Sequence, residues 1–278
     1  MSLFVESDWL AAHLHDSDLV IVDTRSTPHG APGQALESGR DQYAKGHIPG
    51  AIFLDYAEDL HDLATPYATR VAQPERFAEV IGKAGIGDRT RVIAYDEGNV
   101  PYAARMVWML RYYGHDDASI LAGGIRDWTA AGHPLVRDVP TLTPQIFTPR
   151  VRPELRASKD EVLAVAQGAS DAQLLETQRD GTYATRDRDI QGAQRLSASA
   201  LLEDARGGRI ASAERLQELT RGLDRNKRTI VSCGSGVGAS GSYLALLEAG
   251  FTNVGVYDGS WMEWSHDNLP TVPKKAES

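Results

Sequence analysis

The residues best suited to chemistry lie in Val231–Ser240, VSCGSGVGAS, which holds the single cysteine of the chain, Cys233, with glycines at 234, 236 and 238. A thiol attacks only as the thiolate, so its surroundings must favour an anion. RTIVSC reads as a buried strand, and ASGSYLALLEAG (239–250) reads as a helix ending at Gly250, so the loop joins a strand end to a helix N-terminus. Glycines let successive backbone N–H groups turn towards one point, and the helix dipole adds positive charge there. Such a nest is expected to lower the Cys233 pKa, and it would hold a persulfide anion equally well. A lone cysteine is more often a small buried hydrophobe, but packing does not call for alternating glycines, each of which costs conformational entropy. Gly234, Gly236, Val237 and Gly238 are therefore the candidates to touch whatever reacts at Cys233. Neither GxxxxGK[ST] nor GxGxxG with a following ribose acid is present.

The elements that must position this loop occur twice. RVIAYDEGNVPYAAR (91–105) falls on RTIVSCGSGVGASGS (228–242) without a gap, and GHDDASILAGGIRDWTAAGHPL (114–135) falls on GFTNVGVYDGSWMEWSHDNLPT (250–271). Gly114 then meets Gly250, Gly123 meets Gly259, Trp128 meets Trp264 and Pro134 meets Pro270; upstream, LVIVDTR (19–25) matches AQLLETQ (172–178) and HIPGA (47–51) matches DIQGA (189–193). Cys233 falls on Asp96, so the halves are expected to be one active domain and one degenerate partner. Short β-branched runs such as 19–22, 92–95 and 119–121 alternate with amphipathic stretches such as 74–84 and 102–113. Each half is therefore expected to be α/β, a mostly parallel sheet with helices on both faces. The expected domains are residues 1–138 and 156–278, joined by a Pro-rich connector, 139–155, whose prolines forbid helix. The tail from Pro270 should be frayed.

Bulk properties narrow the partners. With 278 residues, 42% hydrophobic and 24% charged, the chain has room for two globular domains, and no apolar run approaches the roughly 20 residues of a membrane helix. A net charge of −9 argues against nucleic acid or an acidic membrane. One cysteine excludes an internal disulfide, and the eight histidines are scattered without ligand spacing, so no metal is expected. The acidic N-terminus, MSLFVESDWLAAHLHD, lacks the features of a secretory signal, and a cytoplasmic location is expected.

The order VDTR, KGHIPGA, YD, LAGGIRDW, then CGSGVGAS and YDGSWMEW resembles the two-domain rhodaneses across nearly the whole chain, and among them is most similar to the 3-mercaptopyruvate sulfurtransferases. The resemblance implies two tandem rhodanese-like domains and sulfur transfer through a Cys233 persulfide, without a cofactor. The donor would be a small molecule, the acceptor a thiol, cyanide or a thioredoxin-like protein, and the enzyme a monomer or weak homodimer. In this family basic residues after the cysteine accompany thiosulfate, whereas mercaptopyruvate loops read CG[ST]GVT; the uncharged Gly234-Ser235-Gly236-Val237 favours the latter. Ser235 would assist the departing enolate, and His47 with Asp41 would be further catalytic residues; an ordinary structural histidine before Pro49 is the competing reading. A substrate carboxylate would draw on Arg179, Arg186 or Arg188, the last two standing just before DIQGA.

Several residues depart from the family pattern. Gly238 replaces a threonine, Glu176 and Gln178 replace an Asp and an Arg, and Asp189 and Gln191 alter HIPGA in the half that keeps the cysteine. Trp264, with its mate Trp128, is expected in the core, and Trp261, without one, against the pocket. Three other functions remain open. A phosphatase or arsenate reductase would need the arginine of CxxxxxR, where Ala239 stands; a non-enzymatic sulfur-carrier or binding module is kept open by Gly238, Gln178 and Asp189, though Cys233 in its glycine nest argues against it; a thiosulfate sulfurtransferase would use the same cysteine.

Overall fold

A computed structural model describes residues 2–26, 37–66, 69–203 and 208–274. They form two compact units, one of Met1–Val151 with Arg206–Arg209, the other of Arg152–Ala205 with Ile210–Ser278. The first runs β1 (Phe4–Val5), α1 (Ser7–His13), β2 (Leu19–Asp23), α2 (Gly39–Lys45), β3 (Ala51–Phe53), α3 (Pro74–Lys83), β4 (Arg91–Tyr95), α4 (Pro101–Tyr112), β5 (Ala118–Leu121) and α5 (Gly124–Ala130). The second runs β6 (Arg156–Ala157), α6 (Lys159–Ala166), β7 (Gln173–Glu176), α7 (Asp180–Tyr183), β8 (Arg188–Ile190), β9 (Gln194–Arg195), α8 (Ala213–Leu219), β10 (Thr229–Ser232), α9 (Val237–Glu248), β11 (Val254–Tyr257), α10 (Ser260–His266) and β12 (Thr271–Pro273).

The repeat in the sequence is a repeat in space. One five-stranded sheet has the order β1-β5-β4-β2-β3 and the other β6-β11-β10-β7-β9, with parallel pairing throughout. The central strands are continuous apolar runs because both faces are covered; β5, β10 and β11 are buried along their whole length. The two matched tryptophans do the same work in each unit. Trp128 and Trp264 are both fully buried, and their indole N–H groups donate to the carbonyls of Pro134 and Pro270, each at 2.9 Å.

Three local expectations need correction or refinement. Helix α9 begins at Val237, so Gly238 lies in its first turn rather than in a preceding loop. The tail is not frayed through its first residues: β12 pairs antiparallel with β8, which puts Thr271 opposite Ile190, while Lys275–Ser278 lie outside the described residues. The proline-rich stretch is extended and lies on the first unit, where Gln145 N–H donates to Gly82 and Arg150 N–H to Tyr113, both at 2.9 Å, and Phe147 packs edge-on against Phe77.

Candidate active site

Strand β10 ends at Ser232, and the chain turns into α9 through Cys233 and Gly236. Gly236 has φ 85°, and a Cβ there would fall 2.4 Å from the carbonyl oxygen of Asp258, so only glycine fits. This turn folds the backbone around the sulfur. The N–H groups of Gly236 and Ala239 donate to Cys233 Sγ at 3.2 and 3.3 Å. Gly234, Val237 and Gly238 complete the loop. A Cβ on Gly238 would stand 3.7 Å from Sγ, ordinary contact distance, so the sulfur faces the space where the family's threonine would be.

Helix α10 holds the loop from the other side. Trp261 N–H donates to the Cys233 carbonyl at 3.0 Å and Met262 N–H to that of Gly234 at 2.9 Å. Ser260 precedes both and is completely buried. Its hydroxyl accepts from Cys233 N–H at 3.1 Å, donates to the Tyr257 carbonyl at 2.8 Å and stands 4.0 Å from Sγ. Ser260 has φ 49°, a left-handed conformation that costs a non-glycine residue roughly 1–2 kcal/mol. Its repeat mate is Gly124, at φ 58°. The second unit keeps a strained serine where glycine would be comfortable, and the hydroxyl at Cys233 is what the strain secures. Sequence reasoning missed Ser260, although its alignment with Gly124 was the signal that could have found it.

The thiol is not the low-pKa group that the glycines led us to expect. Cys233 is 4% exposed; burial and the Glu176 carboxylate push its pKa up, and the amides of Ser235, Ala239 and Gly236 oppose that rise without cancelling it. The nest offsets the cost of a buried anion rather than creating a permanent thiolate.

In the first unit the corresponding nest is filled by the protein itself. Asp96 Oδ1 accepts from the N–H groups of Gly98, Asn99 and Val100 at 2.8, 3.1 and 3.3 Å, and Oδ2 from those of Tyr102 and Ala103 at 3.2 and 3.3 Å. A fixed carboxylate thus takes the anion's place.

The remaining predicted residues are placed as follows. Arg186 is nearly buried and ion-paired: Nη1 donates to Glu176 Oε2 at 2.7 Å and to Gln178 Oε1 at 2.9 Å, Nη2 reaches Asp189 Oδ1 at 3.4 Å, and the guanidinium lies 4.0 Å over the Trp261 ring. Its charge is thus matched within the unit. Trp261 is indeed beside the loop, though its face is covered by Arg186. Arg188 is on β8 and donates to the Thr271 hydroxyl and carbonyl at 2.6 and 3.0 Å, fastening β12. Arg179 caps α7, half-buried. His47 is fully buried in the first unit, its ring stacked 3.8 Å from Tyr43 and its nitrogens 2.9 and 3.3 Å from the carbonyls of Tyr43 and Asp138. Asp41 does not reach it. Its carboxylate accepts from the Ser38 hydroxyl at 2.7 Å at the start of α2, so the expected His47–Asp41 pair is not formed.

Two parallel sheets, a cysteine nest in one unit and its carboxylate-filled copy in the other define a tandem architecture, and the Rhodanese-like domain model matches it twice, over residues 6–131 and 159–267. The chain belongs to the rhodanese-like family. It is 34% identical over 281 residues to 3-mercaptopyruvate sulfurtransferase of Escherichia coli K12, covering 98% of each chain. It is 33% identical over 252 residues to thiosulfate sulfurtransferase of Cricetulus griseus, covering 86% of this chain and 84% of that one. Among solved structures, the 3-mercaptopyruvate sulfurtransferase SseA from E. coli superposes with a TM-score of 0.81 at 32% identity, covering 94% of this rhodanese-like chain and 99% of that one. With relatives of this identity and coverage, the expectations of a tandem rhodanese fold and of a sulfurtransferase are met. No helix among the described residues is long and apolar enough to cross a membrane.

Proposed function

We propose that this chain moves sulfane sulfur from 3-mercaptopyruvate to a thiol or cyanide acceptor through a persulfide on Cys233. The observation that carries the reading is the nest: the backbone amides of Gly236 and Ala239 converge on one buried sulfur. The Cys233 thiolate attacks the donor sulfur, and the donor's C–S bond breaks with its electron pair going to the methylene carbon. The pyruvate enolate so formed takes up a proton to become pyruvate, and Cys233 is left as S–SH. In the second step a nucleophilic acceptor takes the outer sulfur and the Cys233 thiolate returns. The same amides serve both states, since the persulfide's own anion also needs neutral donors in a dry site.

Mercaptopyruvate is favoured over thiosulfate because the loop residues 234–238 carry no charge and Arg186, behind Gln178, is matched by Glu176 and Asp189. Ser235, at the loop's open turn, is the residue assigned to help the enolate. A single free cysteine suits a reducing compartment, so we place the enzyme in the cytoplasm, acting as a monomer or weak homodimer on small thiols or a thioredoxin-like acceptor. Initial rates decide the donor: pyruvate release from 3-mercaptopyruvate should exceed cyanide-dependent thiocyanate formation from thiosulfate, and the reverse order overturns the assignment.

A further inference from the structure

The two units neutralise the carboxylate at the end of their second central strand by different routes. In the first unit Asp23 Oδ1 accepts from the N–H of Arg25 at 3.0 Å, while the Arg25 guanidinium binds Asp23 Oδ2 at 2.6 Å and the Gly46 carbonyl at 2.9 Å. In the second unit Glu176 Oε1 accepts from the N–H of Gln178 at 2.9 Å, so the backbone turn is the same, but residue 178 has no charge. Arg186 supplies it. Its Nη1 binds Glu176 Oε2, and its Nε donates at 3.3 Å to the carbonyl of Arg188, the repeat equivalent of Gly46. A guanidinium from elsewhere in the sequence thus makes the same two contacts, to the strand-end carboxylate and to the carbonyl before the HIPGA-type turn. Because it arrives from the loop beyond α7, it also covers Trp261, whose N–H holds the Cys233 carbonyl, and it grips Gln178, whose Nε2 would be 3.3 Å from a Cβ on Gly234.

We propose that Arg186 is a positioning residue of the sulfur site, replacing the arginine absent at 178 and acting on Cys233 through the charge of Glu176 and through Trp261, whose backbone N–H holds the Cys233 carbonyl. It rests on Cys233 being the sulfur-carrying residue. Other ionisable groups around Glu176 are Arg195, which donates to its backbone carbonyl at 3.2 Å, and Tyr183, whose hydroxyl is bonded to Asp189 at 2.7 Å. Neither contacts the Glu176 carboxylate as Arg186 does. Burial raises the Glu176 pKa and Arg186 opposes that rise, so without Arg186 the Glu176 carboxylate is left unmatched or takes up a proton, and either change alters the push that it exerts on the Cys233 thiol.

The test is the pH dependence of Cys233 alkylation by iodoacetamide, a neutral reagent, in protein without donor. Arg186→Gln should move the midpoint by about one pH unit, and the exchange variant Gln178→Arg/Arg186→Gln, which restores the first unit's arrangement, should bring it back. If Arg186→Gln does not fold, Glu176→Gln/Arg186→Gln removes both charges, and its midpoint should fall below that of the wild type. An unchanged midpoint in the folded single or double variant, or failure of the exchange variant to restore it, overturns the proposal; an unchanged midpoint with a raised KM for donor would show instead a substrate-binding arginine. Since no sulfur is transferred in this assay, its outcome is separate from that of the functional proposal, which fails if Cys233 gains no sulfur from a donor.

Discussion

Replacing Asp96 with alanine tests whether the first unit's nest is a structural copy of the sulfur site. Among the five amides that Asp96 satisfies, those of Gly98, Val100 and Ala103 are buried, at 2.8, 3.3 and 3.3 Å. Leaving a buried donor unsatisfied costs about 1 kcal/mol or more, so these three alone predict a loss of about 3 kcal/mol. Loss of the negative charge at the start of α4 adds roughly 0.5 kcal/mol. Trp9, Trp108 and Trp128 report on this unit, so urea unfolding followed by tryptophan fluorescence should show its transition weakened by about 3–4 kcal/mol. Sulfur loading of Cys233 in unstressed protein should remain near normal, because Asp96 touches no reacting atom. A loss below about 1 kcal/mol would mean that water replaces the carboxylate and that the nest is not a buried anion site. In the converse experiment, Cys233→Asp should fold and be inert, reproducing the first unit's solution in the second.

Gly238→Thr should fold normally, since its Cβ meets only Cys233 at contact distances and exchanging a helix glycine for threonine favours α9 by about 0.3 kcal/mol; the added hydroxyl should speed persulfide formation in stopped-flow measurements. Ser260→Gly should relieve roughly 1 kcal/mol of backbone strain yet slow sulfur loading, so a gain in both stability and rate would remove Ser260 from the site. Burial and the Asp96 carboxylate push Glu97 up to about 7. Because its folded pKa lies above its unfolded one, Glu97 binds its proton more tightly in the native state, and stability should decline as pH rises from the ordinary carboxylate range to about 7. Glu97→Gln should therefore gain on the order of 2–3 kcal/mol over the wild type at pH 8 and little at pH 4, as measured by urea unfolding; equal differences at both would contradict this.

The parts legible in the sequence were those fixed by local pattern and repetition. Apolar runs placed β2, β4, β5 and β10, the matched tryptophans marked both cores, and the alignment set Asp96 in the place of Cys233. What escaped were interactions between residues whose proximity only the fold creates. Gln178 read as a lost arginine, since nothing in the sequence ties residue 186 to Glu176; the compensation requires the chain to return past α7 and lay Arg186 on Trp261. Glycine spacing showed where amides would point, but not that the sulfur would be buried, which with the Glu176 charge raises its pKa. His47 stands in a motif that resembles the family's, yet its ring nitrogens face the carbonyls of Tyr43 and Asp138.

The central claim is that sulfur passes through Cys233, and intact-mass spectrometry after brief exposure to 3-mercaptopyruvate tests it most directly. The wild-type chain should gain the mass of one sulfur atom and lose it again on addition of cyanide, while Cys233→Ser should gain nothing. A wild-type protein that releases pyruvate without ever carrying sulfur, or a Cys233→Ser variant that does carry it, would contradict the account.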